Sequence, residues 1–375
     1  MTYEQLRLRS LDIIISNQHP SGAYLACPTM PDYQFSWFRD GAFIAYALTI
    51  DGQRAGLDFG GSMAAQWESA GRFHDWCATV ITDRAEAIER GIQRGQQGEP
   101  PRRDEIINAR YTAEGTSGPD DWPEFQLDGP GMWLWSLAHY VRAARIAPLP
   151  ERWLQAVDLA ARYLSAHWRT PCFDCWEERG DDIHPATLGA LYAGLLAADN
   201  LLETKAFAET AQRIKTLICR EGLTPGGEIA KSFGLDMVDA SLISLATPYR
   251  MFEPHDPIMQ RTIARIERDL HAKGSGVHRY REDVYYGGGA WVLLGLWLAW
   301  HYAEAGQKAR AWPLFEWAAQ QADTAGNLPE QVTSPMLFAD HYAPWVAQRG
   351  RIANPLLWSH AKYLIVYNAL HPVTG

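Results

Sequence analysis

Two glutamates stand out by the company they keep. Glu177 follows Trp176 in the run Asp174-Cys175-Trp176-Glu177-Glu178-Arg179, and Glu330 is the only glutamate near Asn327-Leu328-Pro329-Glu330-Gln331. An apolar ring and neighbouring carboxylates raise a carboxyl pKa, which is what a general acid needs, while a second, ionised carboxylate can serve as a base. The run itself leaves open which of Glu177 and Glu178 carries the proton, since adjacent glutamates in a loop are more often solvated. Arg39 and Asp40 close the segment Tyr33-Gln34-Phe35-Ser36-Trp37-Phe38-Arg39-Asp40. They suit a capped helix start with its ion pair, and they equally suit a charged donor and acceptor that each grip sugar hydroxyls. Asp128 precedes Gly129-Pro130 and reads as a helix cap or a ligand contact. Arg279, Tyr280, Asp283, Tyr285 and Tyr286 lead through Gly287-Gly288-Gly289 to Trp291, and three glycines allow a ligand close to the backbone.

The elements that must position these groups are helices. Apolar periodicity predicts about twelve of them, over 3–16, 39–52, 60–95, 129–147, 150–169, 184–200, 203–220, 237–246, 256–272, 289–305, 307–324 and 356–370. They alternate in character. In 203–220 Phe207, Ala211, Ile214 and Ile218 mark one apolar stripe among charges, so that helix has a wet face; Trp291 to Trp300 carries no charge and must be buried all round. Odd helices are therefore outer and even ones inner, which predicts an all-α fold, an (α/α)6 barrel of six outer-inner helix pairs forming a single domain over 1–375. Such a barrel brings every odd-to-even loop to one end, and loops on a rigid scaffold carry function. Those loops are the long ones and hold the groups named above. The stretch 96–128 is expected to form a rim or lid. Glu177 and Glu330, from the third and sixth loops of a six-fold ring, are expected to oppose each other across the mouth.

Composition narrows the classes. The chain has 375 residues, 47% apolar and 21% charged, with a net charge of −10 that argues against nucleic-acid or anionic-membrane partners. Sixteen Trp and sixteen Tyr offer flat faces with polar tips, which suit a carbohydrate as well as a core. Five cysteines read as thiols, and the single CxxC at Cys172 and Cys175 lacks further ligands at metal spacing. No cofactor or metal is expected. The start shows no signal-peptide core, so a cytoplasmic protein is expected. Barrels of this shape also occur among sugar epimerases and lyases, which would draw on histidines such as His184, His278 or His360.

Tyr33-x3-Trp37-x-Arg39-Asp40, Gln126-x-Asp128-Gly129, Asp174-x-Trp176-Glu177-Glu178, Arg279-Tyr280 with Tyr286 and Trp291, and Glu330-Gln331 together resemble glycoside hydrolase family 15, the glucoamylases and glucodextranases, from about Tyr33 to Tyr363. The resemblance implies hydrolysis with inversion, with Glu177 as general acid and Glu330 as general base. It implies that Arg39 and Asp40 hold the terminal glucose, that Tyr33, Trp37 and Trp176 shape the pocket, and that Glu178 and Arg279 bind nearby hydroxyls. Without the accessory domains that many relatives carry, the expected substrate is a short α-glucoside. An α-1,6 linkage is favoured over α-1,4, with trehalose as another member of the same range.

Overall fold

The computed structural model describes the chain apart from residues 60–64, 272–273, 275 and 373–375. The start of the expected 60–95 helix and the last residue of 256–272 lie outside the described residues.

Side-chain caps satisfy free N–H groups at some of the helix starts. Thr2 and Gln5 form a reciprocal capping box at the head of α1 (Tyr3–Ser16). The chain continues through α2 (Phe38–Phe59), α3 (Ala65–Thr82), α4 (Ala85–Gln96), α5 (Asp128–Ala144), α6 (Glu151–His167), α7 (Pro185–Leu201) and α8 (Ala208–Glu221). It ends with α9 (Pro257–Leu270), whose cap Asp256 accepts from Ile258 N–H, then α10 (Val292–Glu304), α11 (Lys308–Gln320), α12 (Tyr342–Arg349) and α13 (Leu357–Leu370). An inner ring closes in space: α2 packs on α5, α5 on α7, α7 and α10 on the turn Ala240–Leu245, α10 on α13, and α13 on α2. Outside it, α3, α6, α8, α9, α11 and α1 each lie against this ring. The result is the all-α barrel of alternating layers that the hydrophobic patterning implies. Relative burial follows the pattern: every residue from Val292 to Tyr302 is buried, whereas α8 buries only Ala211, Ile214, Leu217 and Ile218.

The close approach of α5 and α7 depends on Gly131 and Gly194. A Cβ on either would stand 2.6 Å from a backbone oxygen of the facing helix, so any side chain there forces the ring apart.

Three elements differ from expectation. The helix over 60–95 breaks at Asp83-Arg84 into α3 and α4, where Thr82 turns its hydroxyl back on Ala78 O and Arg84 reaches Val80 O and Gly115 O. No glycine or proline marks that break. The eighth element is a 3-10 turn, Ala240–Leu245, started by Asp239 and ended before Pro248, whose ring cannot continue a helix. The sixth loop contains structure of its own. In it β4 (Gln331–Met336) pairs with β3 (Gly289–Trp291), and α12 follows. Across the mouth, β1 (Ser36–Trp37) pairs antiparallel with β2 (Arg110–Tyr111), so the stretch 96–128 is stitched to the first loop.

Candidate active site

The odd-to-even loops surround a cavity of about 330 Å³, at the lower end of the roughly 300–1,000 Å³ usual for small-molecule pockets. Eleven of the residues singled out from sequence around the candidate site line it: Tyr33, Trp37, Arg39, Asp40, Trp176, Glu177, Glu178, Arg279, Tyr285, Trp291 and Glu330. Two stand behind the wall. Asp128 is buried, accepting from Arg39 Nη1 at 3.2 Å, and Tyr286 donates to Gly350 O at 3.0 Å from a left-handed backbone, φ 48°.

Glu177 sits in a tightly specified turn. Its φ is +69°, a conformation that costs a non-glycine residue about 1–3 kcal/mol and survives only where the surroundings dictate it. Those surroundings start at Asp174. Its Oδ1 accepts from the N–H groups of Trp176 (2.9 Å) and Glu178 (3.0 Å), and its carbonyl accepts from Glu177 N–H (2.9 Å). Its Oδ2 meets Lys231 Nζ at 2.9 Å; Lys231 also reaches Asp239 at 2.8 Å, and Asp239 in turn accepts from the Trp176 indole N–H at 2.9 Å. Burial alone would raise Asp174, but Lys231 and its other partners hold it below the ordinary aspartate value. The Glu177 carboxylate thus points from a braced turn, and Oε1 accepts from Trp37 Nε1 at 2.7 Å and Gln126 Nε2 at 3.3 Å.

Glu330 is held by different means. Its N–H donates to Ala353 O (3.0 Å) and its carbonyl accepts from Val292 N–H (3.1 Å). Just upstream, Leu328 N–H donates to His360 Nε2 at 3.0 Å and Ser359 Oγ donates to Pro329 O at 2.9 Å, so the first turn of α13 clamps the segment. The side chain is 2% exposed. Oε1 accepts from Tyr33 Oη at 3.1 Å, and Tyr33 Oη lies 2.9 Å from Tyr285 Oη; with the Tyr33 proton on Glu330, Tyr285 supplies the donor between the two rings. Oε2 is buried and makes no geometric hydrogen bond among the described residues, an arrangement that favours the neutral acid. Burial, only partly offset by Tyr33 and Arg279, pushes the Glu330 carboxyl up to about 8. A raised carboxyl, expected beside Trp176, is thus found at Glu330. Glu178 is raised as well, by burial against the pull of Arg279, Lys231 and Tyr280.

The floor is polar and pre-paired. Arg39 Nη1 donates to Gln126 Oε1 at 2.7 Å, and Nε, 3.5 Å from Asp40 Oδ2, has no hydrogen-bond partner. Burial raises Asp40 to about 7 against the opposing charge of Arg39. Arg279 is locked to Asp283 through Nε at 2.8 Å and stands 3.3 Å from Glu178, enclosed by the rings of Trp176, Tyr285 and Trp291. A buried acceptor and donor on the floor with aromatic walls can take a neutral polyol, replacing water by directed hydrogen bonds.

Sequence reasoning did not single out Trp122, Trp345, Asp32 and Arg349, which also line the cavity. Single aromatics or charges in long loops carry no spacing signal. Lys231, which braces the Glu177 turn, was equally silent. The three histidines that an epimerase reading would use do not line the cavity, and His360 serves the backbone of Leu328.

A ring of paired helices whose loops bring two carboxyl groups into one aromatic pocket is the arrangement of a barrel glycosidase. The chain belongs to the glycosyl hydrolases family 15, whose family model matches residues 3–368, and it is a glycoside hydrolase. It is 39% identical to an isomaltose glucohydrolase of Kribbella flavida over 98% of this chain and 92% of that one. It superposes on the solved structure of a wild-type glycosidase with a TM-score of 0.90 at 37% identity, covering 98% of this chain and 96% of that chain. A bacterial glucoamylase solved with acarbose, at 20% identity and a TM-score of 0.69, shares the fold over 97% of this chain and 55% of its own.

Proposed function

We propose that the protein is an exo-acting α-glucoside hydrolase that inverts the anomeric centre, releasing β-glucose from the non-reducing end of short α-1,6-glucosides such as isomaltose. The observation that carries the reading is the buried Glu330, with one oxygen oriented by Tyr33, in the same pocket as Glu177. Glu330 Oε2 takes a proton from water while that water attacks the anomeric carbon, and Glu177 protonates the departing oxygen. Arg39 and Asp40 hold the terminal glucose at the floor. The similarity to an isomaltose glucohydrolase supports the linkage. Glucose release from isomaltose, maltose, trehalose and soluble dextran, compared as kcat/KM, tests it. Isomaltose is expected to lead, and a preference for maltose or trehalose would overturn the linkage assignment.

The acid-base pair works only while it carries one proton between its two members, and that proton must lie on Glu177 in the reacting complex. Coupled groups titrate as a pair. With Glu330 raised to about 8, the last proton leaves near that pH, so kcat/KM is expected to fall on the alkaline side with a midpoint near 8. The same shift has a consequence for stability. A carboxyl raised in the folded state contributes stability below its ordinary pKa that is lost as the pH rises through about 8, so Glu330→Gln is expected to melt above the native protein at alkaline pH. The difference should shrink toward pH 5. Equal melting temperatures across that range would remove Glu330 as the source of the alkaline limb.

A further inference from the structure

The α12 arm, residues 342–349, is an addition to the barrel and not part of its packing. None of its residues is fully buried, and it leans chiefly on the turns Tyr285–Gly287 and Ala339–His341. Trp345 stacks on Tyr286 with ring centroids 6.0 Å apart and meets Tyr285 edge-on at 4.9 Å. At the end of the arm Arg349 Nη1 meets Asp32 Oδ2 at 2.7 Å, both side chains 37% exposed, and the guanidinium lies 5.8 Å over Trp122. That joins the sixth loop to the first and second. A half-exposed ion pair adds little to folding stability, whereas its position on the cavity wall is not neutral.

The general acid sets the direction in which the leaving sugar departs. Trp37 donates to Glu177 and packs edge-on against Trp122 at 6.1 Å and against Tyr33, the partner of Glu330, at 5.7 Å, so the closure by Trp122 and Arg349 adjoins the wall that carries both carboxyl groups. The glucose floor lies at Arg39 and Asp40, and the remainder of the substrate must extend past this closure.

We propose that the arm, through the Arg349–Asp32 tie and Trp345, is the element that limits substrate length: it leaves room for one leaving sugar and obstructs the next. This rests on the proposed acid role of Glu177. The test compares kcat/KM for isomaltotriose with that for isomaltose in the native enzyme, Arg349→Ala, Asp32→Asn and Trp345→Ala. Opening the tie is expected to raise the ratio of trisaccharide to disaccharide about tenfold in both Arg349→Ala and Asp32→Asn, with Trp345→Ala acting in the same direction. A ratio that stays within about twofold of native, or falls, in both tie variants overturns the proposal. Should the native enzyme prefer an α-1,4 bond, the linkage reading fails alone, and the same ratio measured with maltotriose and maltose still decides the role of the arm.

Discussion

Glu177→Gln and Glu330→Gln are each expected to reduce isomaltose turnover by about a hundred- to ten-thousandfold while the fold persists. Each substitution removes a proton-transfer partner at a fixed place, and the surrounding contacts are already made by other groups. The Glu177 turn is braced through Asp174 and Lys231, and the Glu330 backbone through Ala353, Val292 and the first turn of α13. The two roles separate on α-glucosyl fluoride, whose leaving group departs as an anion without protonation. Glu177→Gln should recover much of its lost rate on the fluoride, whereas Glu330→Gln should not, because water still has to be activated. Recovery by Glu330→Gln and not by Glu177→Gln would exchange the assignments. The raised Glu330 carboxyl gives this comparison weight, since burial favours the neutral form of the group assigned here as the base.

Lys231→Met is expected to lower stability by about 3–5 kcal/mol, because it leaves the buried carboxylates of Asp174 and Asp239 without their shared cation. Turnover should fall together with stability, because the same carboxylates hold the Trp176 indole and the turn whose left-handed residue is Glu177. Chemical denaturation and isomaltose kinetics measure the two effects. A loss under about 1 kcal/mol with native kinetics would show that the turn does not depend on this cation.

Much of this was readable from the chain. The buried helices α7, α10 and α13 carry apolar residues on every face, and the outer helices carry one stripe, so the two layers and the loop-bearing end follow from periodicity. Arg39, Asp40, Trp176 and Glu177 were visible because charged groups next to indoles in long loops are unusual company, and Glu330 as the lone glutamate of its loop. What stayed hidden depends on distant pairing. Lys231 looks like any loop lysine until Asp174 and Asp239 meet it, and Asp128 reads as a ligand contact until Arg39 is seen to use it. The break at Asp83-Arg84 has no local signal, because it is made by long side chains reaching back to carbonyls. The strand at 331–336 exists only through its partner at 289–291. The raised carboxyl of Glu330 follows from burial by residues distant in the chain, which no neighbour in sequence announces.

The central claim is inversion by a pair of carboxyl groups. Inverting glycosidases keep those groups roughly 6.5–9.5 Å apart so that water fits between base and sugar, whereas retaining enzymes bring them to roughly 5–5.5 Å and pass through a covalent glycosyl intermediate. Proton NMR of isomaltose hydrolysis in the first minutes, before mutarotation mixes the anomers, reads the outcome directly. β-Glucose from the cleaved non-reducing end is expected as the first new anomeric signal, and initial α-glucose from that end would mean a double displacement and remove the role given to Glu330.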